Sequence, residues 1–167
     1  MHYLIRTSSL GQALIAGSAD ALCAILIGDD ADALRKDLQR RFPGEELRET
    51  DIDTAFERLT ARVIALIEAP AARSDLPLDA RGTVFQQRVW RALRDIPPGS
   101  TATYTDIAER LGMLKAVRAI AQACGANPLA VVIPCHRVVR RDGGISGYRW
   151  GVEIKRELLR RENVSGF

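Results

Sequence analysis

Long apolar runs, paired cysteines and a basic leader are all missing from this chain, and each absence closes off a class of protein. No stretch of the 167 residues approaches the roughly 18 to 20 apolar residues that a membrane-spanning helix needs. The first residues, Met1-His2-Tyr3-Leu4-Ile5-Arg6, have neither the charged start nor the long apolar core of a secretory signal. Cysteine occurs three times, as Cys23, Cys124 and Cys135. An odd count at wide spacing argues against a disulfide framework and for a reducing compartment, so a cytoplasmic location is expected. No Cys-x-x-Cys pair is present, and neither a metal site nor a cofactor is expected. Internal repeats and low-complexity tracts are absent as well. What remains is an ordinary globular composition, 47% hydrophobic, long enough for one large domain or two small ones with proper cores.

Net charge is small and unevenly placed. Residues 1–82 carry 10 Lys and Arg against 14 Asp and Glu, a balance of −4, whereas residues 83–167 carry 14 against 7, a balance of +7, together the net +3 of the chain. A basic half suits a polyanionic partner, because neutralising phosphates is the main source of nucleic-acid affinity. Taken alone, an unevenly charged solvated surface explains the asymmetry equally well.

Turn residues and apolar spacing divide the chain. Residues 2–6, 12–17 and 21–27 read as three short strands, with turns at Ser8-Ser9-Leu10-Gly11 and from Gly17 to Asp20. Asp29-Asp30 opens a helix with Leu34, Leu38 and Phe42 at helical spacing, stopped by Pro43-Gly44. Ile52, Phe56, Leu59, Val63 and Ile67 mark a second amphipathic helix. Ala69 to Gly82, with Pro70 and Pro77, reads as a connection, giving a small mixed domain over residues 1–76 and a mainly helical one over 77–167. In the second half, Thr83 is a suitable N-cap for a helix burying Phe85, Val89, Trp90 and Leu93, ended by Pro97-Pro98-Gly99. A short helix from Tyr104 to Gly112, a three-residue turn and a helix from Lys115 to Cys124 then form a helix-turn-helix pattern, whose second helix contacts DNA in proteins that use it. That second helix is slim, with Ala116, Ala119, Ala121 and Ala123, and Arg118 is its large polar residue near the start. Such a helix can approach a groove closely and push a wedge into the base stack. The fold class is α+β.

Downstream, Ile133-Pro134-Cys135-His136-Arg137-Val138-Val139 sets a cysteine beside one of only two histidines. A thiol is strongly nucleophilic as thiolate, and a neighbouring imidazole with cationic arginines is the environment expected to favour that form. Asn127-Pro128 starts the strand expected to lead into it, and Pro134 stiffens the approach. Cys23 and Cys124, in apolar or helical contexts, read as core residues. Trp90 and Trp150 read as core and pocket wall.

Several motifs occur in a matching order: Gly82-Thr83-Val84-Phe85-Gln86-Gln87, Lys115-Ala116-Val117-Arg118-Ala119, Pro134-Cys135-His136-Arg137-Val138-Val139 and Ser146-Gly147-Tyr148-Arg149-Trp150-Gly151. Together they resemble the O6-alkylguanine-DNA alkyltransferases, in particular the C-terminal domain of bacterial Ada-type proteins. The resemblance is full over residues 83–162 and looser before them. It implies a ribonuclease-H-like N-terminal domain and repair of O6-alkylguanine in duplex DNA by irreversible transfer of a methyl or small alkyl group to Cys135. One molecule would act once, with O4-methylthymine as a secondary substrate. It implies a flipped nucleotide, a helix-turn-helix in the minor groove with Ala116 and Ala119 against DNA, Arg118 intercalated, and Tyr104 helping to rotate the target phosphate. His136 would take the thiol proton through a water, oriented by Glu162 on a final helix over 152–162. Asn127 would tie the helix-turn-helix to the active-site strand, Tyr148 and Val138 would line the guanine pocket, and Tyr104 or Lys155 would supply a proton or hydrogen bond to the leaving guanine. A monomer is expected. Leu114 stands where related proteins have proline, and the zinc-bound domain of full-length Ada-type proteins has no counterpart here, so the chain is either a stand-alone repair protein or part of a larger regulator. A non-catalytic lesion-binding module has no need of Cys135, and a cysteine hydrolase would leave the helix-turn-helix and the basic half unexplained.

Overall fold

Three apolar runs separated by turn residues fold as an antiparallel meander in the computed structural model, which describes residues 1–50 and 55–167. Strands β1 (His2–Ser8) and β2 (Gly11–Gly17) pair from His2–Gly17 to Ser8–Gly11 around a turn at Ser9 and Leu10. Gly11 has φ +109°, and a Cβ there would come 2.9 Å from the Gly28 carbonyl oxygen, so the turn excludes any side chain. Strand β3 (Leu22–Gly28) pairs antiparallel with β2. A two-residue strand that the sequence did not announce, β4 (Arg48–Glu49), joins β1 in parallel and completes the order β3-β2-β1-β4.

Two helices pack on this sheet. Helix α1 (Ala31–Arg41) starts at Asp30, whose carboxylate accepts from the Ala33 N–H at 2.6 Å, and buries Leu34 and Leu38. Phe42, expected within the helix, is instead its C-cap, because Pro43 excludes helical geometry at the residue before it. Helix α2 (Ala55–Glu68) buries Phe56, Leu59, Val63 and Ile67 as their spacing requires. Ile52, assigned to the same helix, lies outside the described residues. Leu38 and Ile67 are fully excluded from water, each stabilising the fold by about 2 kcal/mol.

Two compact units divide the chain: Met1–Glu68 with Arg73–Ala80 and Pro128–Ala130, and Ala69–Ala72 with Arg81–Asn127 and Val131–Phe167. The division expected between residues 76 and 77 falls inside Arg73–Ala80, which the first unit keeps. Backbone hydrogen bonds explain this, since the Leu22 N–H donates to the Pro77 carbonyl at 2.9 Å and the Asp79 N–H to the Leu22 carbonyl at 2.8 Å. Pro128–Ala130 belongs there for the same reason, through bonds on both sides of Ile25. The expected strand after Asn127 is therefore absent. One bridge forms, between Ile25 and Leu129, before Val131 at φ +67° turns the chain.

In the second unit, helix α3 (Val84–Arg94) begins with a capping box. The Gln86 N–H donates to Thr83 Oγ1 at 3.2 Å, and the Thr83 N–H donates to Gln86 Oε1 at 2.9 Å. Val89, Trp90 and Leu93 are buried, whereas Phe85, in the first turn, is half-buried. Trp90 Nε1 donates to the Ala123 carbonyl at 2.8 Å. Strand β5 (Ala102–Thr103) leads into helix α4 (Tyr104–Arg110), and Gly112 at φ +67° ends that element. The second helix of the motif is shorter at its start than expected. Leu114–Ala116 forms a 3₁₀ turn, and helix α5 runs over Val117–Ala126. A further 3₁₀ turn, Cys135–Arg137, runs into strand β6 (Val138–Val139), and helix α6 (Val152–Arg161) follows. Among the described residues no helix is long and apolar enough to cross a membrane.

Candidate active site

Two short strands assemble the site. β5 and β6 pair in parallel, Ala102 with Val138 and Thr103 with Val139. Thr103 is also the N-cap of α4 in a second capping box, with the Asp106 N–H donating to Thr103 Oγ1 at 3.1 Å and the Thr103 N–H to Asp106 Oδ2 at 2.6 Å. Tyr104, the first helical residue, is thereby fixed beside the segment that follows Cys135 and His136. Two-residue strands have no readable period, so this link was hidden in the sequence.

Cys135 opens its 3₁₀ turn with the thiol buried. Asn127, the C-cap of α5 and itself fully buried, donates both amide hydrogens: one to the Ile133 carbonyl at 2.9 Å, the other to Cys135 Sγ at 3.2 Å. The environment runs against the expected favouring of the thiolate form. Burial pushes the thiol pKa up to about 11, while the Asn127 amide and the Lys155 charge pull less strongly the other way. The arginine beside the motif does not act on the thiol. Arg137 turns to Glu162, with Nε at 3.0 and 3.2 Å from its two oxygens and Nη2 at 2.9 Å from one of them. Its Nη1 donates to the Ile96 carbonyl at 2.6 Å.

His136 is fully buried, and its Nε2 lies 2.8 Å from Glu162 Oε1. Glu162 caps the C-terminal end of α6, one residue beyond the helix, where a carboxylate meets unfavourable carbonyl dipoles. Burial also disfavours its charge, yet the donors from His136 and Arg137 hold its pKa below the ordinary carboxylate value. An ionised Glu162 accepts only, so Nε2 carries the imidazole hydrogen. Burial lowers the His136 pKa despite the carboxylate, leaving a neutral ring. Its other nitrogen, Nδ1, is then a lone-pair acceptor, buried and without a hydrogen-bond partner among the described residues.

Lys155 on α6 is fully buried, with Nζ donating to the Val138 carbonyl at 2.5 Å and to Ser146 Oγ at 2.6 Å. Tyr104 OH donates to the same Ser146 Oγ at 3.2 Å. Tyr148 stacks edge-on against Trp150 with ring centres 5.1 Å apart, and its hydroxyl is buried without a partner among the described residues. Arg118 is exposed at the start of α5 and engages no carboxylate among the described residues, and Ala116 and Ala119 flank it half-buried. Cys124 is buried on α5, its thiol raised by burial to about 12, and Cys23 is buried on β3, both as expected of core residues. The structure thus brings Cys135, Asn127, Val138, Tyr104 and Lys155 together, and His136 with Glu162. Reasoning from sequence missed Arg137 as the second partner of Glu162, and Ser146 as the common partner of Tyr104 and Lys155. For Arg137 a signal existed, since a buried carboxylate serving one neutral imidazole leaves its charge without a cation.

Comparison with known proteins fits this geometry. Residues 84–164 match the family described as the DNA-binding domain of 6-O-methylguanine DNA methyltransferase. The bifunctional transcriptional activator/DNA repair enzyme Ada of Escherichia coli K12 is 49% identical over 97% of this chain and 45% of its own length, so the chain spans less than half of that relative. The methylated-DNA–protein-cysteine methyltransferase of Mycobacterium bovis is 35% identical over 97% of this chain and 92% of its own. The crystal structure of Mycobacterium tuberculosis OGT in complex with DNA superposes with a TM-score of 0.80 at 32% identity, covering 97% of this chain and 92% of that one.

Proposed function

The chain belongs to the O6-methylguanine-DNA methyltransferase family, and from that membership we propose that it repairs DNA by moving a methyl or small alkyl group from guanine O6 to its own Cys135. The observation that carries the reading is the Cys135 thiol, held by Asn127 at the end of the helix-turn-helix and followed directly by the His136–Glu162 pair. Double-stranded DNA is the partner, bound through the minor groove by a monomer, in the cytoplasm. O4-methylthymine is a secondary substrate. The sheet order of the first unit, with β4 parallel to β1, supports reading residues 1–76 as ribonuclease-H-like.

Ala116 and Ala119 admit a groove wall, and the unpaired Arg118 enters the stack as the damaged nucleotide leaves it. Tyr104 lies at the start of α4, placed to turn the target phosphate. The extruded base enters a pocket walled by Tyr148 and Val138. His136, with Nε2–H fixed by Glu162, accepts the Cys135 proton at Nδ1 through a water, since adjacent side chains do not face each other. The sulfur then attacks the alkyl carbon in line: the S–C bond forms, the C–O6 bond breaks, and guanine departs with the electron pair. A proton reaches the guanine from Tyr104. Lys155, with two of its three ammonium hydrogens given to the Val138 carbonyl and Ser146, supports the pocket from within. A thioether has no easy reversal, so each molecule reacts once.

Intact-protein mass after incubation with a duplex containing one O6-methylguanine tests the reading. A gain of one methylene mass on the peptide holding Cys135, stopping at one equivalent, is expected. Unmodified protein that still binds the lesion duplex would replace catalysis with lesion sensing.

A further inference from the structure

Three elements send a polar group to one hydroxyl. Ser146, buried in the loop after β6, accepts from Lys155 Nζ at 2.6 Å and from Tyr104 OH at 3.2 Å, and donates to the Val138 carbonyl at 3.0 Å. A hydroxyl has one hydrogen and two lone pairs, and all three are used. Lys155 has no carboxylate within this arrangement. Its ammonium is buried against a carbonyl and a hydroxyl, an expensive choice where a leucine would fill the same space. Tyr104 is the member of the trio that stays half-exposed. The buried ammonium therefore communicates with the reacting side of the site through Ser146.

We propose that Ser146 is a positioning residue for the leaving-group proton, linking Lys155 to Tyr104 so that the proton Tyr104 gives to the departing guanine is replaced from the Lys155 ammonium. The inference rests on the alkyl-transfer reading above. As the C–O6 bond breaks, the Tyr104 O–H hydrogen goes to the guanine. The Ser146 hydroxyl rotates about Cβ–Oγ from Val138 to Tyr104 and gives its hydrogen to the phenolate. Ser146 is then reprotonated from Lys155, which ends as a neutral amine. One positive charge disappears as the negative charge on guanine is neutralised, so the buried site gains no net charge. The titratable groups facing Lys155 are Cys135 from the 3₁₀ turn, Cys124 from α5, Tyr104 from α4 through Ser146, and His136. Burial lowers the Lys155 pKa to about 8 while the two thiols oppose it, so the ammonium is present at neutral pH and lost above that value.

The test is the single-turnover rate of methyl transfer from a saturating O6-methylguanine duplex, between about pH 6.5 and 9.5. Ser146→Ala is expected to slow transfer by about 10- to 100-fold, less than loss of a direct proton donor, with lesion-duplex Kd unchanged. The decline in wild-type rate near pH 8 is expected to vanish in that variant, and Ser146→Thr, which keeps the hydroxyl, is expected to restore both. Tyr104→Phe and Tyr104→Phe/Ser146→Ala are expected to be equally slow, because Ser146 acts through Tyr104. Wild-type speed in Ser146→Ala, a slowed variant that keeps the decline near pH 8, or additive losses in the double variant would each overturn the relay. Wild-type protein that never gains the methyl would overturn the alkyl-transfer reading and the relay with it. Methylated wild type with an indifferent Ser146→Ala overturns the relay alone.

Discussion

Asn127 donates to Cys135 Sγ at 3.2 Å from the C-cap of α5, and it is the direct hydrogen-bond donor to a thiol that burial otherwise keeps protonated. Asn127→Ala removes this donor and one of the two hydrogen bonds to the Ile133 carbonyl, which keeps the Cys135 N–H at 2.8 Å. The Cys135 thiol should then titrate above about 11, and reaction with a small alkylating reagent at fixed pH should slow. Unfolding free energy should fall by about 1 to 3 kcal/mol, for two buried hydrogen bonds at about 0.5 to 1.5 kcal/mol each. A thiol titration curve unmoved by the substitution would remove Asn127 from the activation of Cys135.

Glu162 serves two partners, and its neutralisation should be costly. In Glu162→Gln the Arg137 guanidinium stays buried against the Ile96 carbonyl with no counter-charge. Breaking one side of a buried pair costs about 3 to 5 kcal/mol, measurable as a drop in the denaturant midpoint. Transfer should slow too, since an amide that can donate as well as accept no longer dictates the His136 tautomer. Full stability in Glu162→Gln would mean that Arg137 finds water or another partner.

Stability should fall on the acid side for reasons that can be assigned. The folded-state pKa of His136 is below the ordinary 6.5, so under about pH 6.5 the unfolded chain binds a proton that the folded chain refuses. Stability is therefore complete above that pH and declines as pH drops toward the folded-state value. Glu162 acts in the same direction at lower pH: its contribution is whole above about 4.5 and lost as pH falls through its depressed folded pKa. Denaturant midpoints measured from pH 7.5 to 5 should decline in the wild type and flatten in His136→Asn. Equal slopes in the two proteins would assign the decline elsewhere.

Arg118→Ala should separate recognition from chemistry. The side chain is exposed and far along α5 from the thiol, so the variant should lose lesion-duplex affinity and repair rate by about tenfold or more, as expected for removal of an intercalating wedge. Transfer from free O6-methylguanine base should be unchanged. A matching loss with the free base would place Arg118 in the pocket chemistry.

Side chains whose environment is set locally were legible in advance, and those set across the fold were not. Thr83 and Gln86 announce the start of α3, because a cap needs only neighbours in sequence. The Leu34–Leu38 and Phe56–Val63–Ile67 spacings place the burial of α1 and α2 for the same reason. Cys135 beside His136 marked the segment proposed as reactive. The acidity of that thiol ran opposite to the reading, because burial raises its pKa while Arg137 turns to Glu162 from the other end of the unit, and no local pattern carries that information. Likewise β4, β5 and β6 depend on partners distant in sequence, and the helix expected from Lys115 tightens to a 3₁₀ turn until Val117.

Helix α5 carries Arg118 near one end and Asn127 just past the other, about 14 Å apart at 1.5 Å per residue. A stiff rod of that length works as a gauge. On the proposed reading it sets the separation between the wedge residue and the sulfur that must receive the alkyl group, and a tilt imposed at the arginine end would reach the amide that touches the thiol. Loops near the site can vary in length without altering this measure, whereas one added turn of α5 would move the wedge out of step with the nucleophile.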